Sequence, residues 1–92
     1  MASANVTLAG SESTPFEADS TARVATLKKA GGTVSNPSSD AVWVKENATS
    51  LTATNGNAVA IPQNGTLKLG HSTKSFAFAT ASGTAWPFYN PA

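Results

Sequence analysis

The sequence predicts an all-β fold, a small antiparallel β-sandwich of about seven strands, immunoglobulin-like or jelly-roll-like in layout. Three observations predict it. Ser, Thr, Asn and Gly make up 37 of the 92 residues, a mix that favours turns and polar-faced strands over long helices. Turn signals recur at short intervals: Ala9-Gly10-Ser11, Ala30-Gly31-Gly32, Asn36-Pro37-Ser38, Asn55-Gly56, Pro62-Gln63-Asn64-Gly65 and Ser82-Gly83. Between them apolar residues alternate with period two, as in strands with one buried face.

Taken in order, Ala4, Val6 and Leu8 alternate with Asn5 and Thr7. A polar, turn-rich stretch from Gly10 to Ser20 follows, with Phe16 as its large apolar anchor. Residues 1–20 therefore read as an N-terminal arm or an edge strand plus loop, and residues 21–92 as a single β-sandwich domain. Residues 20–31 give two sets of signals. Glu17, Asp19 and Ser20 suit a helix start, Lys28 and Lys29 a helix end, and Gly31 the position after it. The β-branched residues in this short segment of a β-rich chain argue for a strand instead. Val42 and Val44 share a face opposite Trp43 and Lys45. Val59 and Ile61 flank Ala60, Leu67 and Leu69 flank Lys68, and Phe76 and Phe78 alternate with Ala77 and Ala79. Val42, Val44, Leu67, Leu69, Phe76 and Phe78 are the expected core. Asn55-Gly56 makes a poor two-residue hairpin, because it sets Leu51 beside Ala60 and Thr52 beside Val59. Either that loop is longer, or Leu51 to Thr54 is no core strand. Pro87 cannot donate to a ladder, so the last segment is an edge strand or leaves the sheet.

The bulk numbers narrow the function classes. A compact chain of 9.3 kDa buries only about 60–65% of its unfolded surface. Leu, Ile, Val and Phe total 16 residues, while Ala alone accounts for 17, so large apolar side chains are scarce. Cysteine is absent, which removes disulfides and thiolate metal sites as staples. Charged residues are 12% with a net charge of +1, and the basic residues form no stripe, so no nucleic-acid partner is expected. No apolar run approaches membrane-spanning length, and the N-terminus does not read as a signal peptide. Three Asn-x-Ser/Thr sequons, at Asn5, Asn47 and Asn64, read as chance in an Asn- and Thr-rich chain.

Few residues suggest chemistry. Gly65 to Ser72 spells G-x-x-x-x-G-H-S, close to a phosphate-binding loop but with His71 in place of the lysine. Its interior alternates like a strand, and no helix pattern follows to receive a phosphate. His71 is the single histidine and reads as a turn residue. The carboxylates Glu12, Glu17, Asp19, Asp40 and Glu46 suggest no acid–base pair, and no G-x-S-x-G elbow is present. The expectation is a protein that is not an enzyme and uses no cofactor or metal.

The aromatics are more informative. Trp43 reads as strand packing. Trp86, Phe88 and Tyr89 crowd the last seven residues beside Pro87 and Pro91, either closing the sandwich or forming a docking patch. Residues 1–20 and 84–92 are expected to make most contacts with neighbouring subunits, with Val6, Leu8, Phe16, Trp86, Phe88 and Tyr89 as candidate interface residues.

From Gly32 onward the layout resembles a known group. Gly32-Thr33-Val34-Ser35-Asn36 leads to Ala41-Val42-Trp43-Val44, then Ile61-Pro62-Gln63-Asn64-Gly65-Thr66-Leu67-Lys68-Leu69, and closes on Phe76 to Ala85. Over residues 32–85 this order is similar to small β-sandwich virion proteins of tailed bacteriophages, of the capsid decoration (cement) or head–tail accessory type. The resemblance implies a non-catalytic structural protein, made in the bacterial cytoplasm and located in the virion. It implies binding to the major capsid protein or other virion subunits, as a homo-oligomer or in many copies on a shell. It transfers no functional residue. The alternatives are a carbohydrate-binding or receptor-binding module, with Trp43, Trp86 or Tyr89 as a stacking platform, or a neck or tail accessory protein.

Overall fold

The computed structural model describes residues 5–52 and 58–92. Within them lie nine strands and no helix: β1 (Val6–Leu8), β2 (Thr14–Pro15), β3 (Arg23–Leu27), β4 (Thr33–Asn36), β5 (Val42–Glu46), β6 (Val59–Ile61), β7 (Gly65–Lys68), β8 (Ser75–Thr80) and β9 (Phe88–Asn90). They form two sheets, a five-stranded one in the order β1-β3-β8-β5-β6 and a four-stranded one in the order β2-β9-β4-β7. Only β1 and β3 pair in parallel; the other strand pairs are antiparallel. The all-β sandwich is as expected from the sequence. The strand count is nine rather than about seven, because two- and three-residue strands are too short to show a period.

The core lies between the sheets. Phe76 and Phe78 project inward from β8, the central strand of the larger sheet, and Val42, Val44 and Ile61 flank them from β5 and β6. Phe16 follows β2 and brings a third ring from the other layer. It meets Phe78 edge-on with centroids 4.9 Å apart, and Phe76 at 6.0 Å. Such tilted contacts add to the burial of the rings themselves. Of the six expected core residues, Leu67 differs, being half-buried and packed against the cluster. It sits on β7, the rim of the smaller sheet, where one flank has no strand to cover it.

Residues 20–31 contain strand β3 and no helix. Arg23, Ala25 and Leu27 point inward and are buried, while Val24 faces out. The helix signals have another origin. Arg23 Nη2 donates to Asp19 Oδ2 at 2.7 Å, an i,i+4 ion pair made without a helix. A buried guanidinium needs such a partner, since an isolated charge in the interior is costly.

The N-terminal stretch is edge strand plus loop, built into the sandwich. β1 borders the larger sheet and β2 the smaller, and Leu8, Phe16 and Ala18 are core residues. The chain leaves one sheet, adds β2 to the other, and returns as β3. That excursion supplies the long connection a parallel pair requires. Leu51 and Thr52 lie outside any strand, and β6 pairs with β5 instead. The Asn55-Gly56 turn lies outside the described residues. Contrary to expectation, the last segment is neither an edge strand nor outside the sheet: β9 is an inner strand between β2 and β4, because Pro87 precedes it outside any strand. The Pro87 carbonyl accepts from the Phe16 amide at 3.0 Å.

Truncating Phe78 to Ala is expected to lower stability by about 3–5 kcal/mol, a large part of the total for a domain of this size. Thermal unfolding followed by circular dichroism measures it. An unshifted melting temperature would contradict the placement of this ring at the centre of the core.

Candidate functional site

The site builds from the outward face of the smaller sheet. Register sets Pro15 of β2 beside Phe88 of β9, Phe88 beside Ser35 of β4, and Ser35 beside Thr66 of β7. These four residues form one row across the sheet, with neighbouring Cβ atoms about 5 Å apart. Trp86 joins them because exposed and buried residues alternate along the C-terminal stretch. Ala85, Pro87 and Tyr89 turn inward, so Trp86 and Phe88 face solvent, 52% and 39% exposed. A hydrogen bond from the Trp86 amide to Ser38 Oγ at 2.8 Å fixes its backbone.

Phe88 separates two chemistries. On its β2 flank lies Pro15. On its β4–β7 flank a groove of about 240 Å³ is lined by Ser35, Asn36, Pro37, Asn64, Gly65, Thr66 and Phe88, none of them charged. The groove wall is a tight turn. Asn64 has φ +64°, a left-handed conformation that asparagine tolerates, and its amide donates to Asn36 O at 2.6 Å. A Cβ on Gly65 would approach Pro62 to 2.8 Å, so glycine keeps the turn closed. The Asn36 amide is fully engaged: Nδ2 donates to Asp40 O and Ile61 O, and Oδ1 accepts from Ser38 N. By contrast, the side chains of Ser35, Asn64 and Thr66 make no hydrogen bond among the described residues.

The six candidate interface residues separate accordingly. Trp86 and Phe88 are exposed. Leu8, Phe16 and Tyr89 are not available as interface side chains, because they fill the chain's own core. Val6 is half-buried and packs against that core. Tyr89 is held at its tip as well. Its hydroxyl lies 2.6 Å from Gly31 O and 3.3 Å from Lys29 O. Gly32, with φ +109°, leaves room for the ring, since a Cβ there would approach it to 2.8 Å. Burial pushes the Tyr89 phenol above its ordinary pKa of 10.0. Trp43 is half-buried on the outer face of the larger sheet, opposite Ala60 and Ala79. Val59, 54% exposed, is the other large apolar residue at the surface among those described.

The sequence's other candidates have structural roles. Gly65 to Lys68 is strand β7, and Gly70 to Thr73 is a turn with His71 exposed. Glu46 Oε1 accepts from Gly70 N and Thr73 Oγ1, each at 2.7 Å, and so fastens that turn. Among the described residues no group of three or more His, Cys, Asp or Glu side chains is placed to hold a metal ion, and no helix is long and apolar enough to cross a membrane. The groove is not legible in the sequence, because its residues come from three separate segments. Comparison with protein-family models, curated proteins and solved structures finds no match to this chain.

Two predictions follow from this placement. Trp86→Ser and Phe88→Ser should change stability by no more than about 0.5 kcal/mol each, as surface substitutions do, whereas removal of residues 86–92 should unfold the chain by deleting Tyr89 and β9. Urea titration of the three variants decides this. A folded truncation product would contradict the core role of Tyr89. The second concerns pH. The folded pKa of Tyr89 is raised, so its contribution to stability is complete below the unfolded value near 10.0 and is lost as pH rises through the folded pKa. Tyr89 is the single tyrosine, so ultraviolet absorbance of the phenolate reports it alone. Ionisation should appear above pH 10 and together with unfolding; phenolate formed reversibly in a folded chain at the ordinary pKa would refute it.

Proposed function

We propose that this chain is a non-catalytic structural subunit of a tailed-bacteriophage virion, which decorates or stabilises the capsid by binding the major shell protein in many copies. The observation that supports the reading is the exposure of Trp86 and Phe88 on one sheet face. The chain has few large apolar side chains, yet these two stay outside its core. Trp and Phe are enriched at interfaces, and Trp is among the residues that dominate hot spots there. The charges of the face are Glu17, which register sets opposite Trp86, and Lys68 at the margin; the rest of the face is uncharged. A subunit that acts by covering area needs no reactive side chain, and docking adds to the stability of a modest core by mass action. The pattern resemblance over residues 32–85 agrees with such a role.

Quantitative mass spectrometry of purified virions of the phage that encodes the sequence tests this. The chain should be present in a ratio to the major shell protein that indicates many copies per particle. Virions reconstituted with the Trp86→Ser/Phe88→Ser double variant should hold less of it. A few copies per particle would favour a neck or tail location, and absence from virions would overturn the proposal.

A further inference from the structure

We infer that the groove between β4, β7 and the Phe88 ring is a binding site for a neutral sugar ring. The inference goes beyond the shell-binding reading and does not require it: Phe88 belongs to both surfaces, whereas Pro15 and Trp86 lie outside the groove lining.

Size limits the ligand first. At about 240 Å³ the groove is below the range of roughly 300–1,000 Å³ that encloses drug-sized ligands, so it suits a single ring. Polarity limits it further. One wall is the half-exposed Phe88 ring with Pro37 nearby. Ser35, Thr66 and Asn64 also line the groove, and their side chains make no hydrogen bond with another described residue. A pyranose has this duality, an apolar face of C–H groups and a rim of hydroxyls that both donate and accept. Serine, threonine and asparagine side chains also do both. No lining residue is charged, so nothing favours a phosphate, a carboxylate or a cation.

The backbone argues against a peptide. Extended peptides gain affinity by pairing with a free sheet edge. Here β9 and β4 are the inner strands of the four-stranded sheet, with main chains paired on both sides, and the free edge of β7 lies on the side away from β4 and Phe88. A ligand held over Ser35 and Phe88 is read by side chains. Asn64 is held for this by its turn, because the left-handed backbone fixes where its carboxamide starts.

The test is a nuclear magnetic resonance titration of the nitrogen-labelled full chain with D-glucose, D-galactose, D-mannose and N-acetyl-D-glucosamine. At least one sugar should give saturable, millimolar-range shifts centred on Ser35, Asn64, Gly65, Thr66 and Phe88, as expected for a small ligand on an open site. Two variants check the assignment. Asn64→Gly preserves the positive φ and removes the carboxamide, and Phe88→Leu keeps an apolar side chain but removes the ring. Each should weaken binding roughly fivefold or more while leaving the remaining amide spectrum in place. The inference is overturned if none of the four sugars gives saturable shifts, if the shifts centre on Trp43 or Trp86 instead, or if both variants bind as the unaltered chain does. The copy number of the chain in virions stands apart from all of these outcomes.

Discussion

The mutual burial of Phe16, Phe76 and Phe78 is the contact on which the rest of the structure depends. Alanine is the commonest apolar residue of the chain, 17 in all, and each alanine removes little surface from water. Two of the three rings come from the central strand of the larger sheet. The third arrives beside β2, so one cluster holds both layers together. It also explains why the N-terminal stretch cannot hang free. Without Phe16 the rings on β8 would face a void, and voids in a core this small are poorly compensated.

With apolar material short and thiols absent, much of the remaining order comes from buried polar groups that are satisfied by particular partners. Asn36 links the end of β4 to the carbonyl of Ile61 in the other sheet. The Tyr89 hydroxyl reaches the Gly31 carbonyl across the open end of the sandwich. Glu46 closes the turn before β8, and Asp19 meets Arg23. Each such bond contributes about 1 kcal/mol net, more where a charge takes part, but leaving one partner unmet costs more than the bond gains. They therefore act chiefly as specificity, penalising any register in which a partner is missing. Arg23 shows the limit, since its buried Nε has no partner among the described residues.

The sequence reveals the fold class where alternation is long and made of large side chains. Val42/Val44 and Phe76/Phe78 were legible for that reason, and five of the six expected core residues are buried. Legibility fails where a polar residue occupies an inward position or a large apolar residue an outward one. At residues 20–31 the polar Arg23 takes an inward position at the head of β3, which hides the strand's alternation and leaves the flanking helix signals to compete with it. In the C-terminal stretch the alternation is real, but its faces are inverted, with small Ala85 and Pro87 inside and Trp86 and Phe88 outside. Size ranking would have assigned them the other way. Tyr89, in the same crowded stretch, belongs to the inward set, and only register with β4 separates it from Phe88. The groove was illegible for a different reason: it exists only once β4, β7, β9 and the turn at Asn64 are assembled.

The inversion at the C-terminus has a thermodynamic meaning. In a chain with abundant large apolar residues, two more at the surface would be unremarkable. Here the core draws on a small supply, and Ala85, Pro87 and Tyr89 occupy the inward positions that Trp86 and Phe88 would need. The outward pair is thus excluded from the core by geometry, since a one-residue slip of β9 would expose Tyr89 and lose its two carbonyl partners. The Tyr89 anchor therefore does two things at once: it fixes β9 in register, and in doing so it presents Phe88 beside Ser35 and Thr66. The aromatic face and the groove follow from how the core is closed, while the Ser35, Asn64 and Thr66 side chains in the groove make no hydrogen bond among the described residues.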